Sequence, residues 1–354
     1  MTRRACARAP VRVDPAGGGT DAPPFSIEHG GMVVNFAVAR HSYASVERLP
    51  AGSGVTIWAH DLQTGVTGDS IETLPPDRLE FLQGFLRRMV PPKDSLLLVT
   101  ESDVPPSAGL GGSGALGVAV VAAIDRAYGT DRSPEETARL ANEIERIDLG
   151  YAGGDQDSYG AAVGGFKEME YIQGGGMKVR QLNVPDDARL QLEQNSLLVY
   201  TGEAHVSSDI HEDIKTSYAL VDSPTVAAMM DLREAARRMS AGLEAGDLAV
   251  FAEAMNTSCD ALYGLHSSCD SDAHRRMCSA LDEFILARKT CGAGGGGFIY
   301  FLTKPGHRRE CVRVAAQDGA LVWPLSIDFA GVKSWDGPGS SDDEIARYRQ
   351  LASP

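Results

Sequence analysis

The residues best suited to chemistry lie in Asp103-Val104-Pro105-Pro106-Ser107-Ala108-Gly109-Leu110-Gly111-Gly112-Ser113-Gly114, a run dense in glycine. A strand pattern, Ser95 to Glu101, ends just before it, and an Ala/Val-rich helical pattern reaching Tyr128 begins inside it. Such a loop brings free backbone N–H groups and the positive end of a helix to one point, where an anion can sit. Gly109-x-Gly111-x-x-Gly114 satisfies the dinucleotide fingerprint literally, but Ser133 to Leu149 reads as a helix where that fingerprint requires a strand. No Gly-x-x-x-x-Gly-Lys occurs, so the Walker form is missing as well. For this loop taken alone, a phosphate cradle and a closely packed connection that binds nothing both stand.

Two more glycine-flanked stretches carry polar groups. Pro15 to Pro24 sets Gly17, Gly18 and Gly19 beside Thr20 and Asp21, either as a polar-lined substrate loop or as a solvated turn with Asp21 as its cap. Gly153 to Phe166 opens a small-residue helix with Asp155 and Asp157, either as N-caps or as carboxylates presented to a cleft. His266, Cys269, His274 and Cys278 are close in sequence, but they fall in a helical pattern without paired-ligand spacing, so ordinary surface and core positions are expected rather than zinc.

These stretches need a scaffold, and 354 residues are enough for about two domains with a sizeable core. A formal charge of -15 argues against holding nucleic acid or anionic membrane by general electrostatics. An anionic ligand would need local help from helix ends or a divalent ion. Arg3-Arg4 lacks the apolar stretch of an export signal, no apolar run reaches the ~18 residues of a membrane span, and the six cysteines show no Cys-x-x-Cys spacing. A reduced, cytoplasmic protein is the expectation.

Along the chain, Ala9 to Asp14 reads as a strand, Met32 to Arg48 and Gly54 to His60 as a meander, and Asp77 to Met89 as a helix. Ser133-Pro134-Glu135-Glu136 has Ser at the N-cap, Pro at the first helical position and acids in the first turn; that helix runs to a stop at Gly150. Gly174 to Gly176 reads as a hairpin tip and Val184 to Asp187 as a linker or turn, near which two domains divide, 1–185 and 186–354. The second holds a strand from Ser196, helices from Ser208 to Lys289, the glycine cluster Cys291 to Gly297, a strand from Phe298, a helix from Gly306 and a strand from Ala320. That order predicts an antiparallel α+β domain of ferredoxin-like kind. Trp335 to Gly339 reads as a loop before a short terminal helix.

Taken jointly, Arg8 to Pro24, Pro106 to Ala115 and Lys289 to Phe298 resemble the motifs of the GHMP kinases, and within them the sugar-kinase branch that holds D-glycero-D-manno-heptose 7-phosphate kinases and fucokinases. The resemblance runs from about Arg8 to about Leu325. It implies a two-domain α+β fold, with a ribosomal-protein-S5-like N-terminal domain, a ferredoxin-like C-terminal domain and a cleft for ATP, Mg2+ and a small acceptor. It further implies that Pro106, Gly109, Leu110, Gly111, Gly112, Ser113 and Gly114 bind the nucleotide phosphates, that Ser113 and Glu145 hold the metal, and that Asp157 is the catalytic base beside Arg12. Gly18, Gly19, Thr20, Asp21, Gly294 and Gly295 would meet the acceptor. The implied activity is phosphorylation of a sugar or sugar phosphate at its anomeric hydroxyl, by a monomer or homodimer. A kinase for a non-sugar alcohol and a silent nucleotide- and sugar-binding regulator are the alternatives.

The sequence also departs from that pattern. Gly114 stands where relatives carry a second hydroxyl. Asp155 stands where heptose-phosphate relatives often carry Lys, which predicts an unphosphorylated or modified sugar as acceptor, because a carboxylate is a poor neighbour for a phosphate. Leu286-Ala287-Arg288 replaces small residues before Lys289.

Overall fold

The computed structural model describes residues 3–203, 207–220 and 223–353. Its strands are β1 (Arg3–Ala16), β2 (Gly31–Leu49), β3 (Val55–Ala59), β4 (Thr64–Gly68), β5 (Ser95–Ser102), β6 (Phe166–Tyr171), β7 (Met177–Gln181), β8 (Ser196–Tyr200), β9 (Ile285–Thr290), β10 (Phe298–Thr303), β11 (Leu321–Pro324) and β12 (Lys333–Pro338). The larger sheet runs β12-β1-β2-β5-β3-β4, with β6 also on β2 and β7 on β6. Long β2 makes this possible, because its first part, from Gly31 to Phe36, pairs with β6 and its second, from Ser42 to Leu49, with β5. It covers the whole of the alternating stretch Met32 to Arg48. The smaller sheet is antiparallel in the order β11-β8-β10-β9. That is the first, second, third and fourth strand arranged 4-1-3-2, the ferredoxin-like arrangement expected.

Helix Gly112–Tyr128 crosses β1 and β2. Its Ala, Val and Gly residues are apolar on nearly every side, as a helix enclosed by protein requires. At Gly117 a Cβ would come within 2.8 Å of Phe85, so glycine there lets helix Glu80–Met89 approach. The two sheets share one core. Phe36 of β2 meets Phe166 at 5.3 Å between ring centroids and Tyr300 of β10 edge-on at 5.7 Å, pairs that each add about 0.5–1.5 kcal/mol beyond the area they bury.

Several expectations need correcting. The helical pattern to Lys289 stops at Leu281, and Ile285–Thr290 is β9; Leu286, Ala287 and Arg288 are therefore strand residues, for which small side chains are not required. Val184 to Asp187 is no free linker, because Pro185 caps helix Asp186–Asn195. Trp335 belongs to β12, which pairs with β1, and helix Asp342–Ala352 then packs on β3 and β4. The tail thus closes the edge of the larger sheet that β1 would otherwise expose. The Ser133 N-cap is as read: Ser133 Oγ accepts from Glu136 N at 3.2 Å and Ser133 N donates to Glu136 Oε2 at 2.8 Å. Among the described residues no helix is long and apolar enough to cross a membrane.

Candidate active site

Arg12 and Asp14 lie two residues apart on β1, Arg12 between two register shifts against β2 and Asp14 inside the second, and their side chains approach to 4.0 Å. Both are buried, at 4% and 1% exposed. Arg12 donates from Nε to Asp157 Oδ1 at 2.8 Å and approaches the same oxygen through Nη2 at 2.6 Å. Both contacts fall on Oδ1, which leaves Oδ2 for another partner. The remaining arm, Nη1, donates to Gly109 O at 2.6 Å, so one guanidinium ties the carboxylate to the glycine loop. Burial opposes the charge of Arg12, but Asp157 and Asp14 more than offset it and raise its pKa.

Asp157 sits in the first turn of helix Gln156–Val163, packed on the glycine loop. A Cβ at Gly114 would come within 2.5 Å of Asp157 Cβ and 2.9 Å of its carbonyl carbon. That contact explains why a hydroxyl residue is replaced here: the two helix starts are too close for one. Gly109 and Gly111 take φ of +81° and +70°, a region that favours glycine. The amides at the start of helix Gly112–Tyr128 have no intrahelical partner and point toward one place.

Glu145 arrives by a different route. The helix that starts at Pro134 ends at Glu143 and continues as a wider π-type turn, Ile144–Asp148, not as the regular helix expected to Leu149. Such turns re-aim side chains and recur at functional sites. Here the turn buries Glu145 to 6% exposure. The exposed Ser113 side chain lies beside its carboxylate. Burial raises the pKa of Glu145, while Arg146 and the Ser113 hydrogen bond pull the other way and Asp157 adds to the rise. Ser113, Glu145 and Asp157, far apart in sequence, therefore converge.

A family described as the GHMP kinases N terminal domain matches residues 80–165. The D-glycero-alpha-D-manno-heptose 7-phosphate kinase of Campylobacter jejuni is 30% identical over 336 residues, which are 93% of this chain and 98% of that protein. The chain belongs to the GHMP kinase family. A bifunctional fucokinase/GDP-fucose pyrophosphorylase of Arabidopsis thaliana is 27% identical over 345 residues, 90% of this chain but only 32% of that longer protein. The crystal structure of a D-glycero-D-manno-heptose 1-phosphate kinase from Bacteriodes thetaiotaomicron superposes with a TM-score of 0.79 at 27% identity, over 95% of this chain and all of that one. This GHMP kinase is accordingly an ATP-dependent kinase with the mixed helix-and-sheet fold of its relatives.

Next to the Arg12–Asp157 pair, the kinase has a cleft whose lining combines polar Asp14, Asp21, Arg146 and His211 and the backbone of Gly18 and Gly19 with Leu262, Leu265, Gly292 and Ala293. Asp21 is buried, accepting from Gly19 N at 3.0 Å and Gln156 N at 3.3 Å. Burial, and then the nearby Asp157 and Asp155, push its pKa up to about 6. Thr20 is a correction. Its hydroxyl, 0% exposed, lies 2.8 Å from Gly17 O and 3.0 Å from Met32 O, the two acceptors within reach of its one proton, and accepts from Met32 N, so it fastens the loop to β2 and is not offered to a ligand. Leu110 is a core residue whose carbonyl accepts from Arg12 N. Gly294 and Gly295 lie further along their loop and turn onto Cys269, while Gly292 and Ala293 face the cleft.

Asp155 corrects the inference drawn from it. Its Oδ1 accepts from Asn142 Nδ2 at 2.7 Å, and it does not line the cleft, so it gives no ground for excluding a phosphorylated acceptor. The sequence reading missed Asp14 and His211. Asp14 Oδ1 accepts from Gly292 N at 3.1 Å, and its Oδ2 is buried without a hydrogen-bond partner. Its place two residues after Arg12 on a strand was a usable signal. His211 comes from helix Ser207–Tyr218, which carries none, and burial together with Arg146 pushes its pKa down.

Ser113 and Glu145 suit Mg2+. They form an oxygen-only pair, a hydroxyl and a desolvated carboxylate, and magnesium takes few protein ligands while keeping waters and substrate phosphates.

Proposed function

We propose that this kinase transfers the γ-phosphoryl group of ATP to a sugar or sugar phosphate, with the anomeric hydroxyl as acceptor. The observation that carries the reading is the position of Asp157, held by Arg12 between the glycine loop and the polar cleft. The names of the relatives, a heptose 7-phosphate kinase and fucokinases, supply the sugar class.

ATP phosphates would lie against the amides of Gly109, Gly111, Gly112 and Ser113. Ser113 and Glu145 would hold Mg2+, which neutralises phosphate charge when bound. In the cleft, Asp21 would accept hydrogen bonds from sugar hydroxyls, and Leu262 and Leu265 would cover the apolar face of the ring. Asp157 Oδ2 would take the acceptor proton as the sugar oxygen bonds to the γ-phosphorus and the bond to the ADP oxygen breaks. Arg12 would orient Asp157 through its contacts to Oδ1 and offset negative charge as it develops. Positioning and charge, rather than covalent chemistry, supply the rate.

An ADP-release screen with Mg2+ over hexoses, fucose, heptose and heptose 7-phosphate tests this, with 31P NMR to locate the new ester. An anomeric phosphate is expected. Turnover of a non-sugar alcohol with none of any sugar would overturn the reading.

A further inference from the structure

Lys167, on β6, is fully buried at 0% exposure and lies outside both the glycine loop and the lining of the cleft. Its Nζ donates to Asn35 Oδ1 at 3.2 Å, Gly160 O at 3.3 Å and Gly165 O at 3.1 Å. An ammonium has three protons, and three oxygens meet them. Gly160 lies within the helix that presents Asp157, and Gly165 just beyond its end, where the last carbonyls favour a cation.

Asn35, also 0% exposed, passes the contact on. Its Oδ1 faces a group that only donates, and its Nδ2 donates at 3.2 Å to Gln156 O, which only accepts. Both ends of the amide are therefore fixed by chemistry. Gln156 immediately precedes Asp157. Gly160 closes the same unit on its other side, since a Cβ there would come within 3.0 Å of Arg12 Cβ and 3.3 Å of Asn35 Nδ2. Lys167 and Asn35 thus join β6, β2 and both ends of the Asp157 helix behind the Arg12–Asp157 pair.

We propose that Lys167, acting through Asn35, is a positioning residue that holds the Gln156-Asp157 backbone in register with Arg12 for phosphoryl transfer. Filling this space would need only an apolar side chain; an ammonium buried at this cost is matched to three carbonyl-type oxygens that no apolar residue satisfies. Burial brings the pKa of Lys167 down to about 7, with Asp328 acting in the opposite sense. The charged groups around the unit are Asp328, which is hydrogen-bonded to His41 at 2.8 Å, and, across Gly160 and Asn35, Arg12 and Asp157. A neutral amine has two protons for three acceptors, so the network is complete only in the protonated form.

The inference rests on Asp157 as the base, and the test separates the two. Lys167→Met and Asn35→Ala are compared with Asp157→Asn and with the Lys167→Met/Asp157→Asn double variant. Readouts are kcat, ATP affinity by titration, thermal melting and the pH profile of kcat. Lys167→Met and Asn35→Ala are each expected to lower kcat at least about tenfold, with ATP affinity within about twofold, because a small misplacement of a reacting group costs rate out of proportion. Lys167→Met should also abolish any inflection near pH 7, and the double variant should be no slower than Asp157→Asn. Unchanged kcat and pH profile in Lys167→Met, or a double variant whose losses multiply, would overturn the positioning role while leaving the Asp157 assignment intact. Full activity in Asp157→Asn would instead remove the base itself. If Lys167→Met does not fold, Asn35→Ala decides: it cuts the link to Gln156 but leaves Lys167 with Gly160 and Gly165, and unchanged kcat there refutes the relay.

Discussion

The two glycine-rich loops, 105–114 and 291–297, are built alike and used in opposite ways. Both take positive φ, at Gly109 and Gly111 in one and at Gly292, Gly294 and Gly297 in the other. They also pack on each other: a Cβ at Gly297 would lie 2.5 Å from Ala108 O, and one at Gly109 would lie 2.4 Å from Cys291 O. In the second loop four of the seven amides, those of Cys291, Gly292, Gly295 and Gly297, are committed to the protein. Gly292 N donates to Asp14, Gly295 N to Cys269 O at 2.8 Å and Gly297 N to Glu203 O at 2.7 Å. In the first loop, among the described residues, the amides of Gly109, Gly111, Gly112 and Ser113 meet no protein acceptor. Unpaired backbone donors gathered at a helix start are what an anion requires. Glycine density thus marks where backbone must come close, and the direction of the amides separates a ligand loop from a supporting one.

The largest effect that bears on this comparison is at Asp157, which packs against the first loop but is not part of its amide array. Asp157→Asn should lower kcat by about 10²–10⁴, the usual contribution of a positioned base, with ATP affinity nearly unchanged. Stopped-flow nucleotide binding and steady-state turnover check both halves. Loss of ATP binding in step with turnover would mean that the carboxylate supports the loop rather than the chemistry. Glu145→Gln comes next. It keeps the shape of the Ser113 contact and removes the charge, so the Mg2+ needed for half-maximal rate should rise by about 10- to 100-fold, as is usual when a group supporting a metal is lost. A titration of rate against Mg2+ that superposes on the unmodified enzyme would leave Glu145 without that role.

Much of the site was legible in the sequence, for local reasons. The strand before Asp103, the helix after Gly112 and the cap at Ser133 follow from periodicity and capping chemistry, which act over a few residues. The π-type turn at Glu145 was not legible, because nothing in Ile144 to Asp148 breaks the helical pattern; the turn is set by packing. The role of Thr20 was misread for a related reason: a hydroxyl beside glycines looks available until β2 arrives to take its hydrogen bonds. His211, Lys167 and the pairing of Trp335's strand with β1 depend on contacts between distant segments, which no local pattern encodes.

A matched pair of glycine substitutions addresses the loops directly. Gly112 has ordinary φ, and a Cβ there meets only Val104 Cγ2, at 3.5 Å. Gly112→Ala should therefore melt with the unmodified enzyme, to within about 0.5 kcal/mol; it keeps its N–H, but a methyl beside a bound phosphate should hold the phosphate off the amides, weaken one charged hydrogen bond and raise KM for ATP by about tenfold. Gly294 has φ +94°, and a Cβ there would lie 2.2 Å from Cys269 O. Gly294→Ala should cost about 1–3 kcal/mol of stability and leave KM for ATP in place. Calorimetry and nucleotide kinetics on the two variants should give crossed outcomes; parallel outcomes would break the distinction between the loops.

The smallest effect lies on the acceptor side, at Asp21, where pH separates function from stability. With a pKa of about 6, Asp21 gains a proton as pH falls through that value and offers one acceptor fewer to sugar hydroxyls. The acceptor kcat/KM should therefore fall below about pH 6 while KM for ATP holds. In Asp21→Asn that acid limb should flatten, with a lower plateau above it. Stability moves the other way. The folded pKa lies above the ordinary 3.8, so the fold favours the protonated carboxyl, and the ionised form destabilises it at neutral pH. As pH falls from about 7 toward 4, the melting temperature of the unmodified enzyme should rise relative to Asp21→Asn, over the same window in which acceptor turnover declines. A buried carboxylate kept ionised against its own desolvation is the signature of a group retained for what it binds, and melting and turnover that declined together would show that Asp21 serves the loop instead.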